Sequence, residues 1–218
     1  MVTTPPLDLR DTTFIIPVRI ESEDREFNFR FVVQWLLDHL DTNIIIREYG
    51  PRGRVNIGQF DVPPSDRLFI HTHELGDSDV FHRTRLLNEM LSLVKTPVTV
   101  NYDCDILLDP RDYVAARDRV LAGADLVYPY YKGESQRQIG PVGKRMLSRS
   151  CDLSEVAVTS WQSSCGHCQF FNTESYIEGG MENEEFLSYG PEDTERMLRF
   201  QKLGYRVEWM DNLIYHIE

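Results

Sequence analysis

No run of 18 apolar residues occurs in the chain, which excludes a hydrophobic membrane-spanning helix. Met1 to Pro6 shows no charged segment leading into an apolar one, so no secretory signal is visible. The expectation is a cytoplasmic protein or a soluble piece of something longer. Basic residues are the minority: 23 Lys and Arg against 35 Asp and Glu leave a net charge of −12. That is the reverse of the footprint a nucleic-acid binder needs. Cysteine is scarce, at four. Cys165 and Cys168 have zinc-like C-x-x-C spacing, but no second ligand pair follows at the usual interval. Buried reduced thiols are the ordinary alternative. No internal repeat and no linker-like composition divides the chain.

What is present suits one α/β unit. In 218 residues, 41% are hydrophobic and 11% aromatic, enough to build a core. Thr12 to Ile20 is predicted as a buried strand. Ser22 and Asp24 can cap a helix over Arg25 to Leu40, whose Phe27, Phe31, Trp35, Leu36 and Leu40 share one face. Strands are predicted over Asn43 to Tyr49 and Arg67 to Thr72, where His71 and His73 read as strand-end polar residues. A helix follows over Val80 to Val94. The remaining periodic segments are a helix over Arg111 to Leu121, strands over Ala124 to Tyr128 and Cys168 to Asn172, and a helix over Thr173 to Glu178. The last are a helix over Glu192 to Leu203 and a strand over Tyr205 to Met210. This alternation predicts a mostly parallel sheet with helices on both faces. Lys132 to Ser164 is polar and poorly periodic, and reads as a long excursion of the lid or binding-loop kind. Trp161 within it reads as a satellite core residue, with sugar stacking as the alternative.

The chain is organised around Thr96 to Pro110. Val98, Thr99 and Val100 form a β-branched strand that runs into Asp103-Cys104-Asp105. On an extended chain, residues two apart point the same way, so both carboxylates reach one target. Two carboxylates together repel unless a cation lies between them, which makes the pair a hard-cation site in prospect. The plainer reading is a loop of scattered acids, with Asp109 capping the helix after Pro110. Arg19, Glu48, Asp103 and Asp105 all fall at carboxyl ends of predicted strands, where open α/β sheets bind ligands.

Four segments, in order, resemble the GT-A glycosyltransferases, in particular the inverting galactosyltransferase and chondroitin-polymerase type. They are Ile16-Pro17-Val18-Arg19; Phe81-His82-Arg83-Thr84-Arg85-Leu86-Leu87-Asn88; Asp103-Cys104-Asp105; and Gly179-Gly180-Met181 continuing through Tyr189-Gly190-Pro191-Glu192-Asp193 to Arg199 and Leu203-Gly204-Tyr205. Two departures stand out. Tyr189 replaces a tryptophan common in the galactosyltransferase branch, and Glu21 stands where a second arginine occurs.

The resemblance implies an inverting transferase of polysaccharide biosynthesis that moves a sugar from a UDP-sugar to a carbohydrate hydroxyl, with Mn²⁺ or Mg²⁺. It places the base at Asp193 and an acceptor-orienting acid at Glu192. Metal ligands fall at Asp105 and His216, with Asp103 on the metal or the donor ribose. Arg19, Glu48 and Arg83 fall on the donor side and Tyr189 on the acceptor side. Each has a plainer reading: Glu192 and Asp193 as helix-start acids, Arg83 as a helix surface charge, and His216 as a solvated residue. A base opposite the leaving group gives inversion in one displacement, without a cysteine nucleophile. The competing functions are a sugar nucleotidyltransferase and a non-catalytic sugar-nucleotide binder. Arg19 to Glu26 contains no glycine for the phosphate loop the former needs.

Overall fold

The computed structural model describes residues 5–50, 55, 60, 67–73, 80–147, 153, 156, 158–163, 165–187 and 191–218. In chain order the elements are β1 (Leu7–Val18), α1 (Glu23–His39), β2 (Leu40–Tyr49), β3 (Leu68–His73), α2 (Arg83–Leu91) and β4 (Val98–Tyr102). Then come β5 (Ile106–Leu107), α3 (Pro110–Leu121), β6 (Leu126–Tyr128), β7 (Gly133–Ile139), α4 (Pro141–Leu147) and β8 (Val158–Ser163). The chain closes with β9 (Cys168–Asn172), α5 (Thr173–Glu178), α6 (Glu192–Lys202), β10 (Val207–Trp209) and β11 (Ile214–Ile217). No helix among the described residues is long and apolar enough to cross a membrane.

The main sheet has seven strands in the order β10-β6-β9-β4-β1-β2-β3. Only β9 runs against its neighbours β4 and β6. The sequence therefore predicts the layer arrangement correctly, and the β1 pattern shows why. Phe14 and Ile16 alternate with Ile15, and all are fully buried, so both faces of this central strand must be covered. Phe14 and Ile16 join the core of α1, through Val32, Val33 and Leu36, and α3, where Phe14 meets Tyr113 edge-on. Ile15 and Ile45 meet Leu87 and Met90 of α2 on the other face. On that face Phe171 of β9 stacks on Tyr176 of α5, with ring centres 4.0 Å apart, and Phe200 of α6 closes the group.

Local signals act where the sequence puts them. Ser22 caps α1 by accepting the Arg25 N–H, and Asp109 caps α3 by accepting that of Arg111. Three predictions need correction. β1 begins at Leu7 because, beyond a register shift between Leu9 and Thr13, Leu7 to Leu9 pair with Leu40 to Thr42. The helix predicted over Val80 to Val94 is only α2, because the His82 imidazole accepts the Arg85 N–H and so starts the helix there.

The third correction concerns Lys132 to Ser164. Much of it is regular structure: β7, α4 and β8, with β7 and β8 completing a second sheet in the order β5-β11-β7-β8. Both strands are polar in sequence, and β7 is mostly half-exposed, with Ser135 and Ile139 its buried points. Trp161, on β8, is 58% exposed rather than a core residue. Cys151 lies outside the described residues.

Candidate active site

A cavity of about 290 Å³ opens where the carboxyl ends of β1 and β4 meet the starts of α2, α6 and β9. Pro17, Arg25, Arg83, Asp103, Cys104, Asp105, Gly166, His167, Glu192, Asp193 and His216 are among its walls. Six of the residues singled out in the sequence thus meet in one place: Arg83, Asp103, Asp105, Glu192, Asp193 and His216. They come from four separate parts of the chain.

Asp103 and Asp105 do not reach the cavity as alternate residues of a strand. β4 stops at Tyr102, and the two acids lie on a turn before β5. The Asp103 N–H donates to the His167 carbonyl at 2.9 Å, which ties the start of the turn to the segment before β9. The Tyr102 hydroxyl meanwhile donates to the Ile106 carbonyl at 2.6 Å and closes the turn from below. His216 lies within β11 rather than past the last strand, and pairs there with Ile106 of β5 and Gln138 of β7. The second sheet therefore carries the histidine to the acids.

Each acid is gripped on one oxygen by an arginine and faced on the other by an imidazole. Arg83 donates to Asp103 Oδ1 at 2.7 Å, and His167 Nδ1 stands 3.9 Å from Oδ2. Arg25 donates to Asp105 Oδ2 at 3.3 Å, and His216 Nε2 stands 3.8 Å from Oδ1. Burial, followed by the neighbouring Asp103 charge, raises the Asp105 pKa above the usual carboxylate value. His216 Nδ1 is buried and has no hydrogen-bond partner among the described residues.

The donors fit Mn²⁺ or Mg²⁺ in kind: carboxylate oxygens with imidazole nitrogen, the nitrogen favouring Mn²⁺. Among the described residues, however, no group of three such side chains converges tightly enough to hold an ion by itself. The arrangement fits an ion that completes its coordination with oxygens of a bound ligand.

Asp193 is treated differently. It sits in the first turn of α6, which has no side-chain cap, so its carboxylate is available to the cavity wall. Arg196, one turn on, donates to Asp193 Oδ1, and Arg83 Nη1 lies 3.8 Å from the same oxygen. Burial works to raise the Asp193 pKa, but Arg196 and then Arg83 overcome it and hold the group below its ordinary value. Arg83 Nη1 also stands 3.8 Å from Glu192, so one guanidinium faces Asp103, Glu192 and Asp193. Asp103 and Asp193 outweigh the cost of its burial, and Arg83 stays charged.

Behind Asp193 lies a buried network that is not apparent in the sequence. Arg196 is fully buried and donates to Glu182 at 2.5 and 2.6 Å and to Gln169 at 3.1 Å. Glu182 also accepts from the Tyr176 hydroxyl and from Asn101 at 3.2 Å. Its backbone is clasped by Asn88, which accepts the Glu182 N–H at 2.9 Å and donates to the Glu182 carbonyl at 3.0 Å. Arg199 donates to the Gly179 and Met181 carbonyls and fixes the turn that delivers Glu182. Gly179 has no room there for a side chain, since a Cβ would lie 2.7 Å from the Ser175 carbonyl oxygen.

Gly166 has a comparable reason. A Cβ on it would fall 2.8 Å from Asp193 Oδ2, so a glycine lets the turn before β9 touch that carboxylate.

Two residues of the donor set lie elsewhere. Arg19 pairs with Glu21 at 2.9 Å and does not line the cavity. Glu48 is buried at the end of β2 and accepts the Val55 N–H at 3.3 Å. Tyr189 lies outside the described residues. Two thiols are held protonated: burial, then Asp105, pushes Cys104 up to about 12, and burial also holds Cys168 well above the ordinary thiol value.

No protein-family model matches the chain, and no curated protein matches it. Solved structures do. The mannosyltransferase PcManGT from Pyrobaculum calidifontis, in complex with GDP-Man and Mn²⁺, is similar with a TM-score of 0.57 at 16% identity, over 95% of this chain and 56% of that one. GalNAc-T7 with UDP, GalNAc and Mn²⁺ gives 0.62 at 9% identity, over 95% and 44%. The catalytic domain of Drosophila β1,4-galactosyltransferase 7, in complex with xylobiose, gives 0.48 at 13%, over 93% and 65%. The chain thus spans about half the length of the first two and somewhat more of the third. Its fold is that of the GT-A glycosyltransferases.

Proposed function

We propose that the chain is a metal-dependent inverting glycosyltransferase. It moves a sugar from a nucleotide-sugar donor, a UDP-sugar in our reading, to a hydroxyl of a carbohydrate acceptor. The observation that carries this is the meeting of Asp193 with Asp103, Asp105 and His216 around one cavity. A carboxylate kept ionised by two arginines thereby faces a cluster built for positive charge.

Asp103, Asp105 and His216 would hold Mn²⁺ or Mg²⁺, which when bound supplies positive charge to the leaving diphosphate. The protein's own part is acid–base and positional. The acceptor oxygen attacks the anomeric carbon as the bond from that carbon to the diphosphate oxygen breaks, and the hydroxyl proton passes to Asp193. Arg196 and Arg83 keep that carboxylate deprotonated before the attack. Glu192 orients the acceptor, and the resemblance assigns Tyr189 to the acceptor side. Arg83 links the two halves, since it holds Asp103 while facing Glu192 and Asp193. Attack from the side opposite the diphosphate inverts the configuration, and no sugar–enzyme bond forms. Arg19 and Glu48 belong to the nucleotide side, at the ends of β1 and β2.

The test begins with a panel of nucleotide sugars, followed by Asp193→Asn with the donor that reacts. Transfer should fall by about 10²-fold or more while metal-dependent donor binding stays nearly unchanged. Unchanged turnover would remove Asp193 as the base.

A further inference from the structure

The second sheet does more than carry His216 to the cavity, because its outer strand shows a large aromatic side chain to solvent. Trp161 of β8 is 58% exposed, although few side chains gain as much from burial as tryptophan. We propose that the face of this sheet bearing Trp161, Gln136 and Gln138 binds a neutral oligosaccharide, the stretch of the acceptor beyond the sugar that reacts. The inference rests on the transferase reading and extends it from one acceptor hydroxyl to a chain of sugars.

Strand register places the residues. His216 pairs with Gln138 and Ile214 with Gln136, while Gln136 pairs on its other side with Trp161. Paired residues of neighbouring strands share a face, and so do residues two apart on one strand. Trp161, Gln136, Gln138 and His216 therefore belong to one side of the sheet, and Arg137 to the other. His216 is also a wall of the cavity, so this face runs into the site.

The reach follows from the same register. Two strand spacings of about 4.8 Å and an offset of two residues at about 3.3 Å each put Trp161 roughly 12 Å from His216 across the sheet. That exceeds the span of a single sugar ring. Trp161 is thus placed for a ring other than the one that reacts, with the half-exposed Gln136 and Gln138 in between.

The chemistry fits a sugar chain. A pyranose carries C–H groups on its faces and hydroxyls around its rim. An indole face suits the first, and a carboxamide, which both donates and accepts, suits the second. Gln138 donates to Glu218 at 2.7 Å, which sets a carboxylate beside the strip. With a net charge of −12, that favours a neutral chain over an anionic one. A lipid surface would need a broad apolar face with basic flanks, whereas Trp161 stands among glutamines. An extended peptide added to the outer edge of β8 would bond the backbone and leave the indole face unused.

The experiment uses the intact chain with neutral oligomers of glucose, xylose, mannose and N-acetylglucosamine, each taken from the single sugar upward. Binding is followed by ligand-observed NMR. Trp161→Ala removes the ring and Trp161→Phe keeps a smaller one, and neither disturbs the core because the side chain is exposed.

At least one series should bind more tightly as it lengthens. Trp161→Ala should weaken the longer oligomers by about three- to tenfold, more as the chain grows, and Trp161→Phe should recover part of the loss. Binding that ignores length, a Trp161→Ala variant that holds long oligomers as the wild type does, or no binding in any series would each overturn the proposal. None of these bears on the transferase reading. That reading fails separately, if oligomers bind through Trp161 while no nucleotide sugar is consumed in their presence.

Discussion

Two carboxylates of one cavity, Asp193 and Asp105, are equipped in opposite ways. Asp193 backs onto Arg196, whose charge is shared with Glu182 and Gln169 in a region closed to water. Asp105 stands beside a like charge, with one arginine at 3.3 Å and an imidazole out of bonding reach. The pKa directions follow: Asp193 lies below the ordinary value and Asp105 above it. The protein has thus settled the charge of one acid itself and left the other buried beside an opposed carboxylate. A site that must hold one carboxylate ionised and use the other to bind a metal needs this asymmetry.

The largest break in the comparison should come from Arg196→Met. It strands Glu182 as a buried charge without its partner, for a loss of about 3–5 kcal/mol. The melting temperature should drop on the order of 10 °C in calorimetry. A drop of a degree or two would show that Glu182 is neutral and the network no unit.

Asp105→Asn should act in the other direction on metal-free protein. It removes an opposed, buried carboxylate and should raise the melting temperature by roughly 2–4 °C, the shift that about 1 kcal/mol makes at this size. A lower melting temperature in EDTA would mean that the Arg25 pair outweighs burial and repulsion.

The smallest effect concerns acid. Because the folded Asp193 pKa lies below its unfolded value, its contribution is complete above the unfolded value. It is lost as the pH falls through the folded one. Stability measured downward from pH 5 should therefore fall less steeply in Asp193→Asn than in the wild type. Parallel curves would show that Arg196 and Arg83 do not favour the ionised form.

Much of the site was legible because its residues sit at ends of elements. The β-branched run before Asp103, the helix starts at Arg83 and Glu192, and the glycines that end helices are all marked by local chemistry. The residues that were missed lack such marks. Arg196 lies in a helix with polar residues on most positions and reads as solvated, until Glu182 and Gln169 arrive from elsewhere to meet it. His167 sits inside a C-x-x-C pattern that draws attention to the sulfurs, although Cys168 is buried in β9 and the histidine faces the cavity. The positive φ at Gly166 and His167 is the feature that aims it there. The four strands of the second sheet were the hardest to see: two are very short, and two are polar.

The sequence alone determined the layered sheet, because alternation, helical periodicity and capping act between residues close along the chain. It also marked the acids that meet at the cavity, through their place at strand and helix ends. Tertiary structure alone decided which charges are neutralised and which are left opposed. Electrostatic energy depends on distance in space, and Arg25 to Asp105, Arg83 to Asp103 and Arg196 to Glu182 are contacts no local pattern encodes.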